Sequence, residues 1–293
     1  MKKILDGKVA FITGAASGIG RGLCKGFAEL GSDVVLADIN EDGAQEVLSE
    51  VEGLGQKGLV VKCDVTDYDS VQSSVEAAVS EFNKIDMLVN NAGYSKLKPI
   101  VKLKVGEFQD ILKINVIGVY NVTHAMVPHM DKQGGGAIVS TGSTAAIMAM
   151  PKWSAYAMSK SSLLAFTRCL GEELKRNKIT VNSLMPTMVD TPLLRQGMSD
   201  EEIKKLEPMV PADLVPYFAF FGTRKARRMT GVNVNVENIE RVLGMMTDLH
   251  EEEQKDKISF RDVKDVVKDK MKSSDYRNMA ESRRLIDFLF SQR

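Results

Sequence analysis

The part of this sequence that decides its fold is Thr13-Gly14-Ala15-Ala16-Ser17-Gly18-Ile19-Gly20, which directly follows the apolar run 9–12. The apolar run predicts a short buried strand, and the amphipathic segment 19–30 predicts a helix, so the glycines occupy a strand-to-helix turn. Glycine suits such a turn because it adopts backbone angles closed to other residues and lets a phosphate approach bare backbone. The first amides of the helix would then face the pyrophosphate of a dinucleotide.

Strand-like and helix-like segments alternate along the chain up to about residue 236. Short apolar runs, which predict strands, occupy residues 9–12, 33–37, 58–62, 87–90, 137–140, 180–184 and 232–236. The segments between them that predict helices are 19–30, 42–52, 67–82, 105–130, 154–176 and 211–221. Because parallel strands need crossover connections, this alternation indicates a parallel sheet with helices on both faces. The sequence therefore predicts an α/β fold with one doubly wound, seven-stranded sheet.

The chain changes character after residue 237. Three apolar stripes at helical spacing predict three helices: Ile239, Val242, Leu243, Met246 and Leu249; Val263, Val266, Val267 and Met271; and Leu285, Ile286, Leu289 and Phe290. Such stripes are not stable in water and must pack against something. We therefore expect residues 1–237 to form the dinucleotide-binding domain. Residues 238–293 are expected to form a helical extension that caps the substrate side or extends an oligomer interface.

The composition describes a globular chain without a strong overall charge. Hydrophobic residues make up 44% of the chain, and its 39 basic and 39 acidic side chains balance, so no global field argues for nucleic acid or an acidic membrane as a partner. No apolar run reaches the roughly 20 residues of a membrane span, and the first residues lack the apolar segment of a signal peptide. The three cysteines have neither metal nor disulfide spacing, which favours a reducing compartment. We expect a cytoplasmic protein without a metal site.

A second informative motif is Tyr156-Ala157-Met158-Ser159-Lys160, within the helix predicted to follow the fifth strand. Residues four apart share a helix face, so the Lys160 ammonium can lie beside the Tyr156 hydroxyl. A neighbouring cation stabilises the phenolate and lowers its pKa from about 10 toward neutral pH. Such a tyrosine can exchange a proton with an alcohol or carbonyl oxygen. Ser143 lies thirteen residues before Tyr156, just after the fifth predicted strand.

These motifs and their order resemble the short-chain dehydrogenase/reductase family. The glycine spacing of the 13–20 loop and the distance from Ser143 to Tyr156 both match the family pattern. Further matches are Asn90-Asn91-Ala92-Gly93, Asn115, Asp64 and the segment 186–192. The resemblance runs from about residue 8 to residue 236. It implies a Rossmann-type fold and hydride transfer between a nicotinamide and an alcohol or ketone.

The resemblance also implies a role for each matched residue. Tyr156 is the acid/base, Lys160 lowers its pKa and binds the nicotinamide ribose, and Ser143 bonds the substrate oxygen. Asn115 completes this catalytic set by holding a water that links Lys160 to solvent. The residues expected to bind the cofactor are Gly14, Ser17, Gly18, Ile19, Gly20, Asp38, Ile39, Asp64, Val65, Asn91, Ala92, Gly93, Thr141, Tyr156, Lys160, Pro186, Val189 and Thr191.

Two positions depart from the family pattern. Thr187 stands where the family commonly has glycine, beside the expected nicotinamide site. Glu237-Asn238 replaces the usual glycine pair after the last strand. Because of these two departures, the family pattern does not determine the shape of the substrate pocket.

The choice of nicotinamide depends on Asp38, which ends the second predicted strand eighteen residues after Gly20. A carboxylate there accepts hydrogen bonds from the adenosine ribose and repels a 2′-phosphate. Residues 15–17 offer no cation, and Arg21 is expected to face an acid or solvent. The sequence therefore predicts NAD. An NADPH-dependent ketone reductase and a non-catalytic dinucleotide-sensing protein are the alternatives.

The substrate is expected to be an apolar alcohol or ketone, lipid-like or steroid-like. Large side chains lie in the loops expected to border the nicotinamide: Tyr94, Met148, Met150, Trp153, Met188, Leu193, Leu194 and Met198. Within the family, the pattern is most similar to 15-hydroxyprostaglandin dehydrogenase and to steroid or lipid alcohol dehydrogenases. A homodimer or homotetramer is expected because the two long helices carry surplus apolar residues, namely Ile117, Tyr120, Ala125, Leu163, Phe166 and Leu170.

Overall fold

The sheet is the central element of the computed structural model, which describes residues 3–196, 198–253, 258–270 and 279–292. Its strands are β1 (Val9–Thr13), β2 (Asp33–Asp38), β3 (Gly58–Lys62), β4 (Met87–Asn90), β5 (Gly136–Thr141), β6 (Ile179–Met185) and β7 (Asn233–Asn235). All neighbouring strands are parallel, in the order β3-β2-β1-β4-β5-β6-β7. The order reverses between β1 and β4, and open α/β sheets bind ligands at the carboxyl edge at such a point.

Helices cover both faces of the sheet. They are α1 (Gly18–Glu29), α2 (Glu41–Gly53), α3 (Tyr68–Phe82), α4 (Val105–Leu112), α5 (Gly118–Lys132), α6 (Ser154–Glu173), α7 (Asp200–Leu206), α8 (Val215–Phe221), α9 (Val236–Glu253), α10 (Phe260–Lys270) and α11 (Arg283–Phe290). One apolar core includes Phe27 and Phe218, and a second, on the other face, includes Phe11 and Met126. Strands buried on both faces are apolar at nearly every position. The predicted doubly wound seven-stranded fold is confirmed.

The predicted helix 105–130 is interrupted in the structure. A π-helical turn, Lys113–Ile117, joins α4 to α5, and the Gly118 amide donates to the Lys113 carbonyl across it. A π-turn adds one residue to a helix and shifts the apolar repeat by one position, a shift that is hard to recognise when the helices on either side are as short as α4 and α5. The turn carries Asn115, which is completely buried.

The structure also differs from the sequence-based expectation at the end of β7 and in having the helix α7. The last strand, predicted over 232–236, has only the three residues of β7, and Val236 already begins α9. The sequence analysis does not predict α7, because Ile203 is its one buried apolar side chain. A signal for α7 exists in its capping box: the Glu202 amide donates to the Ser199 hydroxyl, and the Ser199 amide donates to the Glu202 carboxylate.

The C-terminal helices pack on the sheet face that carries α1 and α8. Their buried side chains share one apolar core with Leu5, and the Phe288 ring centroid lies 5.3 Å from that of Phe220. Among the described residues after 236, none lines the cavity at the carboxyl edge of the sheet, so none of these caps the substrate side; an oligomer interface, the other expectation for the extension, stays a prediction. A domain boundary at residue 237 stays a prediction.

Burial corrects several predicted apolar surfaces. Val266, expected in a packed stripe, is 44% exposed, and the side chains of Leu249 and Met271 lie outside the described residues. Of the six residues expected at a subunit contact, Ala125 and Leu163 are buried within the chain itself. No helix in the described ranges combines the length and apolar composition needed to cross a bilayer.

Candidate active site

The glycine loop between β1 and α1 is held by the loop that follows β4. The amides of Asn91 and Ala92 donate to the Thr13 hydroxyl at 2.9 and 3.0 Å. The Asn91 side chain donates to the Thr13 carbonyl at 3.0 Å. Gly14 has a φ of +67°, and a Cβ there would lie 2.9 Å from the Ala92 Cα. A Cβ on Gly20 would lie 2.0 Å from the Gly14 carbonyl oxygen, so both positions require glycine.

The N-terminus of α1 offers hydrogen-bond donors to the adjoining cavity. Ser17 is its N-cap and makes no side-chain capping bond, while the first amides of any helix lack intrahelical partners. A Cβ on Gly18, whose φ is +53°, would lie 3.2 Å from the Thr191 side chain. The Thr191 loop therefore comes within contact distance of the helix N-terminus. Donors of this kind, beside bare backbone, fit the pyrophosphate of a dinucleotide.

Asp38 lies beside the glycine loop at the end of β2. One carboxylate oxygen accepts the Ala16 amide and the other accepts the Asn40 amide, both at 2.9 Å. Arg21 faces an acid, as expected, and its guanidinium pairs with Glu50 at 2.5 Å. The Asp38 carboxylate is thus fixed next to the glycine loop, while the Arg21 guanidinium is occupied by its ion pair with Glu50 of α2.

Ile39, Asp64 and Val65 follow the ends of β2 and β3, next to Asp38. The Asp64 carboxylate accepts the Thr66 amide at 2.9 Å and its hydroxyl at 2.8 Å. Val65 is buried, whereas Ile39 is 66% exposed. These three residues lie along the carboxyl edge of the sheet, on the side of the glycine loop where β2 and β3 end.

Tyr156, Ser143 and Lys160 come together where β5 ends and α6 begins. The Ser143 hydroxyl is hydrogen-bonded to Tyr156 and accepts the Ala145 amide at 3.1 Å. The Lys160 Nζ atom donates to the Thr141 carbonyl at 2.7 Å and lies 5.7 Å from the centroid of the Tyr156 ring. All three side chains of this group are buried.

Burial shifts the two titratable groups of this site in opposite directions. It raises the pKa of Tyr156 to about 12, against the opposing effect of the Ser143 hydrogen bond. It lowers the pKa of Lys160 to about 8. Both shifts disfavour the charged form, because a buried charge loses its hydration. Burial thus determines the direction of the Tyr156 shift, and the expected lowering of the Tyr156 pKa by Lys160 stays a prediction.

Asn115, in the π-turn, ties the loop after β4 to α6. Its side-chain amide donates to the Tyr94 carbonyl and the Ser159 hydroxyl, both at 2.9 Å. Its Oδ1 atom accepts the Tyr94 amide at 2.8 Å. Oδ1 and the Lys160 Nζ atom both approach Gly93, at 3.6 and 3.7 Å from the position of a Cβ there. A water held between them stays a prediction.

A cavity of about 210 Å³ lies between the glycine loop, Tyr156 and the loop after β6. The predicted site residues in its wall are Gly14, Ser17, Gly18, Ile19, Asn91, Ala92, Gly93, Thr141, Ser143, Tyr156, Lys160, Pro186, Val189 and Thr191. Those outside the wall are Gly20, Asp38, Ile39, Asp64, Val65 and Asn115. Gly20 and Asp38 contact the glycine loop and hold it in place rather than facing the cavity, which explains why neither residue lines the wall.

The substrate side of the cavity matches the prediction in part. Trp153, Met188, Leu193 and Leu194 line it, whereas Tyr94, Met148, Met150 and Met198 do not. Pro192, within the matched segment 186–192, is also part of the wall. Ser95, Leu97 and Gly142 line the wall as well and were not predicted. Their only available signal is their position just after a strand end or a matched motif. Thr187, the departure from the family pattern, is also part of the wall.

The loop after β6 is fastened by an ion-pair cluster. Arg195 donates to both carboxylate oxygens of Asp190 at 2.6 and 2.8 Å and to Asp200 at 2.7 Å, which holds the pKa of Asp190 below its usual value. The Met209 amide donates to the Met188 carbonyl at 3.0 Å, and the Asp190 amide donates to the Met209 carbonyl at 2.8 Å. These bonds fix one wall of the cavity.

Comparison with known proteins identifies the family. A family model described as short chain dehydrogenase matches residues 8–202. The chain belongs to the short-chain dehydrogenase/reductase family. It is an NAD(P)-dependent oxidoreductase. The matched residues contain the glycine loop, Ser143 and the Tyr156–Lys160 pair.

Several members of the family are similar to this chain. The 3-oxoacyl-(acyl-carrier-protein) reductase FabG of Thermotoga maritima is 38% identical over 189 residues, which are 64% of this chain and 77% of the relative. The 7alpha-hydroxysteroid dehydrogenase of Escherichia coli is 33% identical over 207 residues, which are 71% of this chain and 81% of the relative.

Solved structures of the family are also similar to this chain. A 7alpha-hydroxysteroid dehydrogenase complexed with NADH and 7-oxo glycochenodeoxycholic acid matches with a TM-score of 0.76 at 30% identity, covering 80% of this chain and 94% of the other. Alcohols and ketones are therefore the substrate class of this oxidoreductase. The expected similarity to 15-hydroxyprostaglandin dehydrogenase finds no support in these relatives.

Proposed function

We propose that this chain is an NAD-dependent dehydrogenase that transfers a hydride between an apolar secondary alcohol, or its ketone, and nicotinamide. The observation that carries the proposal is the buried group of Tyr156, Ser143 and Lys160 in the wall of the cavity. NAD supplies the hydride acceptor at carbon 4 of its nicotinamide ring. The glycine loop and Ser17 would hold its pyrophosphate, and Lys160 would hold the nicotinamide ribose.

Tyr156 moves the proton in this proposal. Its hydroxyl and that of Ser143 are hydrogen-bonded neighbours, so one substrate oxygen can bond to both. In the oxidative direction Tyr156 accepts the proton of the alcohol, and in the reductive direction it donates a proton to the ketone oxygen. The Lys160 ammonium, 5.7 Å from the ring centroid, favours the phenolate form. Protonated Lys160 is thus required for the oxidative direction.

Support for NAD comes from the charge next to the glycine loop. The Asp38 carboxylate is anchored at 2.9 Å to the Ala16 amide, where it would accept the ribose hydroxyls and repel a 2′-phosphate. Arg21, the cation closest in sequence to the loop, is paired with Glu50. Support for an apolar substrate comes from the large side chains of the cavity wall, which include Trp153 and Leu97.

A ketone reductase that uses NADPH is the second candidate. The Tyr156 pKa of about 12 favours the reductive direction of this candidate and does not bear on its cofactor. At neutral pH such a tyrosine is almost entirely the neutral hydroxyl, which is the form that donates a proton to a ketone. The direction of the reaction and the cofactor are therefore separate questions, and the rates below test both.

Initial rates with NAD and NADP, measured on a panel of apolar secondary alcohols and their ketones, test the proposal. We expect a preference for NAD, and Asp38→Ser combined with Ile39→Arg should reverse it, because a repulsive charge is removed and an attractive one added. Ile39 is exposed, so arginine fits there without strain. Asp42→Ser, an exposed acid in the first turn of α2, is the matched control and should change nothing. Preference for NADP in the unmodified protein would contradict the Asp38 argument.

A further inference from the structure

A basic and apolar segment adjoins the cavity and has no part in the proposed chemistry. Residues 96–105 run Lys-Leu-Lys-Pro-Ile-Val-Lys-Leu-Lys-Val, so four lysines are interleaved with five large apolar side chains. Ser95 and Leu97, at the start of this stretch, line the cavity. The segment is therefore continuous with the cavity wall.

Three apolar side chains of this segment, which we name the apolar tip, point into solvent. Ile100 is 74% exposed, Val101 87% and Val105 74%. The first two belong to a single 3-10 turn, Ile100–Lys102, and the third begins α4. Single exposed apolar residues are ordinary on protein surfaces, but a cluster of them marks an interaction surface.

Four lysines flank the apolar tip along the chain. Lys98 is paired with Glu107 at 2.6 Å, and Lys96 acts electrostatically on the same carboxylate. Within the described residues, Lys102 and Lys104 form no ion pair. Since the whole chain carries no net charge, this positive charge is a local feature next to the cavity. A partner for the tip must therefore combine an apolar interior with a negative surface.

We infer that the apolar tip docks the protein on an anionic lipid bilayer. Ile100 and Val101 would enter the boundary between head groups and acyl chains, while the lysines would lie at the level of the lipid phosphates. Apolar insertion and attraction to anionic lipid are the two contributions that bind peripheral proteins to bilayers. A second copy of this chain, which carries no net charge, offers the lysines less attraction than an anionic bilayer does.

A bilayer also suits the substrate. Leu97 connects the segment with the cavity. Because an apolar alcohol dissolves in the membrane, a docked protein would receive this substrate directly from the bilayer. This part of the inference rests on the proposed function, whereas docking itself does not.

Co-sedimentation of the full chain with vesicles tests the docking. We expect binding to vesicles of phosphatidylcholine and phosphatidylserine, weaker binding to phosphatidylcholine alone, and weakening by salt. Ile100→Ser with Val101→Ser, and separately Lys102→Glu with Lys104→Glu, should each lower the partition coefficient by about tenfold or more. The matched control is Val266→Ser with Lys268→Glu on α10, which also pairs an exposed apolar residue with a lysine and should bind as the unmodified protein does.

Three results would overturn the inference. The first is absence of binding to both kinds of vesicle, and the second is an equal loss of binding in the α10 control. The third is a tip variant that changes the oligomeric mass in light scattering while vesicle binding is unchanged, which would assign the tip to a second copy. Because sedimentation requires no turnover, failure of docking leaves oxidation of apolar alcohols by NAD standing. Failure of that activity likewise leaves docking measurable.

Discussion

Lys160 is a buried cation, and replacing it with methionine measures how strongly the fold opposes its charge. Its Nζ atom donates to the Thr141 carbonyl at 2.7 Å, and burial lowers its pKa from 10.5 to about 8. At about 1.4 kcal/mol per pKa unit, the site disfavours the charged form by roughly 3 kcal/mol. Methionine has a similar length and no charge. After subtraction of the lost hydrogen bond, Lys160→Met should raise the free energy of unfolding at neutral pH by about 1–2 kcal/mol.

The same burial predicts a pH dependence of stability. Between pH 8 and 10.5 the unfolded chain keeps the Lys160 proton that the folded protein has released, so the free energy of unfolding rises with pH in this window. Tyr156 acts in the opposite sense at higher pH: its folded pKa of about 12 exceeds the ordinary value of 10.0, so stability falls as the pH rises through about 10 to 12. Burial also raises the pKa values of the Cys24 and Cys63 thiols from 9.0, so these thiols lower stability as the pH rises above about 9. The difference between the unmodified protein and Lys160→Met, in which the thiols cancel, therefore isolates the lysine.

Urea unfolding followed by circular dichroism, repeated at closely spaced pH values from about 7 to 10, reports both quantities. As the pH rises, the unmodified protein should gain stability relative to Lys160→Met, since both proteins carry the same thiols and only one carries the buried lysine. Lys132→Met, which changes an exposed lysine at the end of α5, should keep this gain. If Lys160→Met is less stable at every pH and keeps the same slope, the burial argument is refuted.

Three more predictions concern the site and the core. Tyr156→Phe should keep the fold and the affinity for NAD but lower kcat/KM by on the order of 10² or more, because only the hydroxyl is lost; near-native turnover would show that another group moves the proton. Gly20→Ala puts a Cβ 2.0 Å from the Gly14 carbonyl oxygen, so calorimetry should show loss of NAD binding, and normal binding would mean that the loop can shift. Phe288→Ala should lower the free energy of unfolding by about 3–5 kcal/mol, because the buried ring packs on Phe220; a loss under about 1 kcal/mol in urea would show that α11 adds little to the core.

The sheet and the glycine loop could be predicted because both leave a direct trace in the sequence. A strand such as β1, buried at all five positions, must be apolar throughout. Gly14 and Gly20 have no alternative residue, since a Cβ at either position collides with backbone. Physical constraints of this kind act on single positions, so they can be recognised without knowing the rest of the fold.

The features that sequence analysis missed depend on what the rest of the fold brings near them. The four-residue spacing of Tyr156 and Lys160 predicts their proximity but not the burial that sets both pKa values. Leu97 joins the cavity only through the path of the chain after β4. The π-turn at Asn115 escapes notice because α4 and α5 are each short, so a shift of the apolar repeat by one residue between them is hard to recognise in the sequence.

The apolar core shared by Leu5 and the C-terminal helices has a consequence for biosynthesis. Leu5 and the buried residues of α8 are translated well before α11, whose Leu285, Ile286 and Phe288 complete the same core. While the ribosome is still adding these residues, the sheet and the glycine loop have already emerged, but the apolar surface of α8 that α11 will cover is still exposed to solvent. Chaperones recognise such apolar surfaces on nascent chains. We therefore expect this core to close only once α11 has emerged from the ribosome, and mutations in α11 should reduce cellular yield more than specific activity.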